Sequence, residues 1–270
     1  MKAQRGFTLT EITIAFLIMS LLLAGFMYTL QAQTTQRERA DTQRRLEEAK
    51  QLLIGFAIVN GRLPCPAVAP PTAPYNNPGA TGVESPAGGA CTDGYTGFLP
   101  ARDIGFQPAD ENGYGLDAWN MPIRYAISKN SSVAGSPDWN FTTAGAMKTN
   151  GIGVLPSDLV ICAEGANVSA VNCNTEPYVT SQNVVVAVVW SHGKNFAERV
   201  TVPGVATPNL GADELPNFKL RQPAVLNDTP VFVRANVAPA GAPGGEYDDM
   251  MAWIPVGELY ARLVAAGVLP

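Results

Sequence analysis

Histidine is almost missing from this chain: His192 is the only one in 270 residues. Cysteine is scarce as well, and Cys65, Cys91, Cys162 and Cys173 form no C-x-x-C pair. A zinc site assembled from such ligands is therefore not expected. Charged residues make up only 15% of the chain, and residues 61–270 hold 11 basic and 18 acidic side chains. No basic stripe tracks a phosphate backbone, so nucleic acid is not an expected partner. There is no G-x-S-x-G elbow and no G-x-x-x-x-G-K-[ST] loop. The adjacent pair Ser191–His192 is the one Ser–His combination, but neighbours on a strand point to opposite faces and make a poor relay. His192 reads as a turn residue in "WSHGKN". No catalytic set emerges, and an enzyme is not expected.

Two further absences are local. The first proline is Pro64. Between residues 7 and 30 the only charged side chain is Glu11. Glu11 aside, this stretch of twenty-four residues is long and apolar enough to cross a bilayer as a helix. A carboxylate there is costly. Taken alone, so close to the start of the segment, it reads as one that snorkels to the interface. A secretory signal would have a shorter apolar core and a small-residue cut site after it. Here the glycine, Gly6, comes before the core, behind Lys2 and Arg5.

The run "RGFTLTEITIAFLIMSLLLAG" resembles the leader of type IV pilins and type II secretion pseudopilins. The resemblance implies cleavage after Gly6 by the prepilin peptidase and N-methylation of the new terminus, Phe7. It also implies that Glu11 meets the Phe7 amine of a neighbouring subunit. In low dielectric such a pair neutralises two groups that are each expensive alone, and it sets axial register. The resemblance further implies inner-membrane insertion, other pilin or pseudopilin subunits as partners, and export of the domain that follows.

The charge rule for topology points the other way. Arg37, Arg39, Arg44 and Arg45 lie just beyond the apolar segment. Placing the C-terminal domain in the periplasm rests on the leader and on the cysteines. An even cysteine count beyond a membrane segment suits disulfides in an oxidising compartment. Three connectivities are open, of which Cys65–Cys91 with Cys162–Cys173 is the most local.

Four stretches are expected: a leader over 1–6, a transmembrane and assembly helix over 7–30, an amphipathic helix over 31–60, and a β-rich domain over 61–270. Leu46, Ala49, Leu53 and Phe56 form an apolar stripe at helical spacing. Asn60-Gly61 followed by Pro64 is a stop. The class is α+β, a long N-terminal helix on an antiparallel sheet, with many loops; Gly (26) and Pro (22) are frequent. Residues 62–115 read as mostly loop. "NGYGLDAWNMPIRYAIS" resembles the D-x-W-x-x-P-x-x-Y run of pseudopilins and minor pilins. Asp117 is expected to cap a turn, Trp119 to anchor the core, and Ile123, Tyr125 and Ile127 to alternate along a strand. "DLVICA", "VVVAVVW", "PVFVRANV" and "MMAWIPV" read as strands, and "VGELYARLVAAG" as a last helix with Leu259, Leu263 and Val264 on one face.

"SHGKN" and "GGEYDDMMAW" are similar to the halves of the major pseudopilin's calcium loop. That resemblance implies oxygen ligands from Asp248, Asp249, Glu246 and Asn195. The residues between the halves depart from the pattern, and an acidic turn before a strand explains the same letters. No other cofactor is expected. The function implied is a structural subunit, a minor pilin or pseudopilin of a type IV pilus or type II secretion machine. The alternative is a binding module displayed at a fibre tip through the Pro/Gly loop and the 196–245 insertion.

Overall fold

The computed structural model describes residues 8–72, 75, 77–130, 138–151, 157–199, 210–219, 221–222, 225–226, 228–239 and 241–270, with backbone only at 24–32, 197–199, 221–222 and 225–226. The chain divides into two compact units, Met1–Asp41 and Thr42–Pro270. One helix, α1 (Leu9–Asn60), contributes to both. The rest comprises α2 (Ala101–Ile104), β1 (Arg124–Ile127), α3 (Ala146–Asn150), β2 (Val160–Cys162), β3 (Val185–Ser191), α4 (Gly193–Arg199), a 3-10 turn at Leu215–Asn217, β4 (Arg221–Gln222), β5 (Val225–Leu226), β6 (Val231–Val233), β7 (Met250–Pro255) and α5 (Val256–Ala265). The class is mixed α and β.

In the first unit α1 runs without proline from Leu9, its apolar side chains exposed: Leu9 is 81% and Phe16 71% accessible. Among the described residues no helix is both long and apolar enough to cross a membrane. The expected boundary at 6/7 lies outside the described residues.

In the second unit α1 turns amphipathic. Thr42, Leu46, Ala49, Leu53 and Ala57 are fully buried, spaced so that they share one face. Phe56, expected in that stripe, is only half-buried, and Ala57 takes its place because the seam advances by four residues after Leu53 rather than three. The helix stops where Gly61 adopts φ 66° and donates its N–H to the Ala57 carbonyl at 2.9 Å. That left-handed residue is one that only glycine adopts freely.

The central sheet has the order β1-β3-β7, antiparallel throughout, with Tyr125 opposite Val189 and Val189 opposite Ala252. β3 is buried along its whole length, as its unbroken apolar run requires. One face of the sheet packs on α1 and α5 through Tyr125, Ile127, Val189, Ala252 and Ile254. On the other, Ala126, Val188 and Trp190 pack with Phe232 of β6. Each large core side chain contributes roughly 1.5–3 kcal/mol by leaving water. A second sheet differs from the antiparallel expectation: β2 pairs with β6 in parallel, Ile161 opposite Phe232.

Three expected positions differ. Trp119 does not anchor the core; it is half-buried in the turn, and Tyr125, fully buried, fills the sheet instead. Val264 is 48% exposed, and Tyr260 joins Leu259 and Leu263 on the packed face of α5. His192 is a turn residue between β3 and α4, but it is buried, stacked on Phe196 at 4.6 Å.

Candidate functional site

Gly6 and Phe7 lie outside the described residues. Immediately after them, Thr8 precedes the first turn of α1. The Thr8 N–H and hydroxyl both donate to Glu11 Oε2 at 2.8 Å, and the Glu11 N–H donates back to Thr8 Oγ1 at 3.3 Å. Thr8 and Glu11 thus form a reciprocal capping box, and two N–H groups that a helix start leaves unbonded find partners. Sequence reasoning missed this role, although the signal, a threonine three residues before a glutamate, is in plain sight.

The structure joins Cys65 to Cys91 and Cys162 to Cys173. The first bond closes the Pro/Gly loop. A bidentate pair between Arg62 and Glu84, both contacts 2.7 Å, holds the same loop from the end of α1. The second bond ties the end of β2 to the turn behind it.

Asp117 organises the approach to β1. Its Oδ1 accepts the N–H groups of Trp119 (2.9 Å) and Met121 (2.8 Å), while its Oδ2 accepts the Ser191 hydroxyl at 2.5 Å. Asn120 takes φ 61° inside the turn. Arg45 of α1 donates to the carbonyls of Leu116 (3.0 Å) and Asp117 (2.6 Å), and the Ala118 N–H donates to Thr42 Oγ1 at 3.1 Å. The D-x-W turn is therefore bolted to the helix by main-chain contacts. Burial pushes the Asp117 carboxyl up to about 6, against the pull of its hydrogen bonds and of Arg45.

Asp248 and Asp249 meet a carboxylate that sequence reasoning did not find, Glu214; all three are buried and present oxygens within 4.8 Å of one another. Glu246, half-buried, is not among them. One oxygen of each carboxylate already takes a donor, while Asp248 Oδ1 is buried without a hydrogen-bond partner. Asp248 Oδ2 accepts the Asn195 N–H (3.1 Å), Glu214 Oε1 the Asn195 amide (2.7 Å), and Asp249 Oδ2 the Asn217 amide (2.8 Å). Calcium requires six to eight oxygens. Here Asn195 and Asn217 turn N–H groups, not oxygens, toward the carboxylates. The adjoining cavity is about 10 Å³, with Phe196 and Phe218 in its wall. The donor set does not fit a calcium shell. Burial, aided by Asp249 and Glu214, raises Asp248 to about 7, so a proton supplies part of the missing positive charge.

Ser191 and His192 part company. The serine faces Asp117, whereas His192 Nδ1 lies 3.6 Å from Asp249 Oδ1. Burial, with Arg124 adding to it, lowers the imidazole to about 3. The ring is thus a neutral core residue.

Residues 1–27 match the family model described as the prokaryotic N-terminal methylation motif. Neither a curated protein nor a solved structure matched the chain.

Proposed function

We propose that this chain is a structural subunit of a pilin-like fibre, a minor pilin or pseudopilin that assembles through its N-terminal helix. The methylation motif over residues 1–27 carries the reading, since that signal is the one a prepilin peptidase cuts and methylates. In this account the peptidase cleaves between Gly6 and Phe7 and methylates Phe7. Residues 7–30 then sit in the inner membrane, where the helix from Leu9 to Leu30 reaches about 33 Å against a hydrocarbon core of roughly 30 Å. The exposed apolar side chains of α1, among them Leu9, Phe16 and Leu22, support a helix made for lipid and then for neighbours. The outer domain is periplasmic and held by its two disulfides. The role is mechanical, with no catalytic step.

Glu11 has two duties in this account: it caps α1 and it pairs with the amine of the neighbouring Phe7. Glu11→Gln separates them, because glutamine keeps the capping box and lacks the charge. The mature protein is expected to begin at N-methylated Phe7 by mass spectrometry. The Glu11→Gln protein is expected to be cut and inserted normally yet depleted from sheared fibres. A chain that keeps Met1 sinks the assignment, and an unchanged fibre fraction removes the charge pair.

A further inference from the structure

Among the described residues the sheet ends at β7, and its outer edge is open. The alternation of the ladder identifies the free groups. The Tyr125 N–H donates to Gly97 and the Ile127 N–H to Gly94, on the side of β1 away from β3. Arg124 and Ala126 therefore bond to β3, through Trp190 and Val188. Ala187, Val189 and Ser191 must then bond to β7, through Ile254, Ala252 and Met250. That leaves the N–H and C=O of Met251 and Trp253 directed outward. Among the described residues no backbone group accepts from or donates to them on that side.

This edge lies at the bottom of a slot of about 410 Å³. One wall is α1, where Gln43, Glu47 and Lys50 face it at helical spacing. The other is the chain leaving β6, residues 234–237. Six residues of β7 give a length of about 20 Å. The walls matter. An open edge without walls admits the sheet edge of a second copy or of a folded domain. A walled edge admits one strand. The walls are also charged oppositely. Lys50 is held by Glu258 at 2.7 Å, which leaves Glu47 as the exposed charge on the helix side. Arg234 is exposed on the other side, beside half-buried Trp253 and 59% exposed Val237. Among the described residues neither Glu47 nor Arg234 has an ion-pair partner.

We propose that β7 takes a fourth strand from another polypeptide, a single extended segment whose side chains alternate between a basic residue toward α1 and apolar or acidic residues toward Trp253 and Arg234. Main-chain bonds at Met251 and Trp253 supply the attachment, and the two walls read the alternate side chains. The proposal is independent of the pilin-like reading.

The test uses the full chain in mild detergent and residue-resolved amide exchange. The probe is a library of blocked hexapeptides with lysine at the third position and valine or glutamate at the second, fourth and sixth. In the free chain the amides of Met251 and Trp253 should exchange faster than those of Ala252 and Ile254. Library members should slow the two outer amides by about tenfold or more, since each enters a hydrogen bond. Members N-methylated at alternate residues should not. Glu47→Lys, an exposed change, should shift preference by roughly threefold toward peptides with glutamate at the third position. The proposal fails if the whole library leaves Met251 and Trp253 unprotected. It fails equally if those amides are already as slow as Ala252 in the free chain, because the edge is then covered by the chain itself.

Discussion

Asp117→Asn isolates the one carboxylate that links the helix, the turn and the sheet. The folded chain holds the Asp117 proton up to about pH 6, against an ordinary value of 3.8. Between these values the folded state binds a proton that the unfolded state has released. Stability from this group therefore falls as pH rises from about 4 to 6 and is flat above. The raised value corresponds to about 3 kcal/mol lost at pH 8 relative to pH 3. Asparagine keeps an oxygen for the Trp119 and Met121 N–H groups. Its amide can donate to Ser191 Oγ, which already accepts the Gly193 N–H at 3.1 Å. The cost is the Ser191 proton, which loses its acceptor, about 1 kcal/mol. The variant should thus exceed the parent by about 2 kcal/mol at pH 8 and fall below it by about 1 kcal/mol under pH 4. Urea unfolding of both proteins across this range, followed by circular dichroism, gives the difference curve. Taking the difference matters because His192 acts with the opposite sign: its folded value of about 3 means that stability is lost as pH falls below 6.5. Asp248, with a folded value of about 7, acts with the same sign as Asp117. Both cancel between parent and variant. A flat difference curve would refute the linkage. A variant weaker than the parent by several kcal/mol at every pH would show that the turn needs the negative charge itself.

The two disulfides should be nearly equal in worth. Loop closure over the printed separations, 26 and 11 residues, gives about 3.5 kcal/mol for Cys65–Cys91 and about 3 kcal/mol for Cys162–Cys173. Paired alanine variants of each, compared by thermal unfolding, check this; a bond whose removal costs nothing would mean the loop is held by its packing alone. Millimolar calcium should leave the melting temperature of the full chain where it is, because Asn195 and Asn217 turn N–H groups toward the carboxylates and the adjoining cavity is only about 10 Å³. A site filled at a hundred times its dissociation constant would add about 2.7 kcal/mol, so a clear upward shift that EDTA reverses overturns the fit argument.

What the sequence made legible was local. The helix stop at Asn60-Gly61 depends on a glycine at φ 66°, and the Asp117 turn on a side chain reaching N–H groups two and four residues ahead. The buried run of β3 and the packed face of α5 follow from the spacing of apolar residues within one element. Glu214 could not be found that way. It reaches Asn195 across 19 residues and the Asp248 N–H across 34, and no periodicity connects those positions. The parallel pairing of β2 with β6 is equally remote, since neither strand's letters specify the direction of its partner. The Thr8–Glu11 box is a different failure. The letters were there, but a glutamate in an apolar segment draws attention to what it meets across a membrane and away from the turn it closes.

The buried cations connect composition to fold. Long basic side chains are almost never fully buried without a charged partner, yet Arg124 and Lys219 are fully buried and Arg45 is half-buried. Here all three point inward at carbonyls. Lys219 Nζ donates to the carbonyls of Thr229 (2.7 Å) and Val231 (2.8 Å) and to the Thr229 hydroxyl (3.0 Å). Arg124 donates to the carbonyls of Thr96 and Lys219, with its guanidinium 4.2 Å above the Phe98 ring. Burial is the larger force on both ammonium and guanidinium and lowers their pKa values. The reason lies in the glycine and proline content. Loops without ladder partners bring carbonyls into the interior unpaired, and each would cost free energy if left so. A carboxylate cannot serve them, since it accepts and does not donate. A basic side chain carries three to five donors on a flexible stem and can reach several carbonyls at once. A chain this poor in charge and this rich in loops thus uses part of its small basic complement as internal ties, and that use is set by backbone geometry that no local pattern of letters announces.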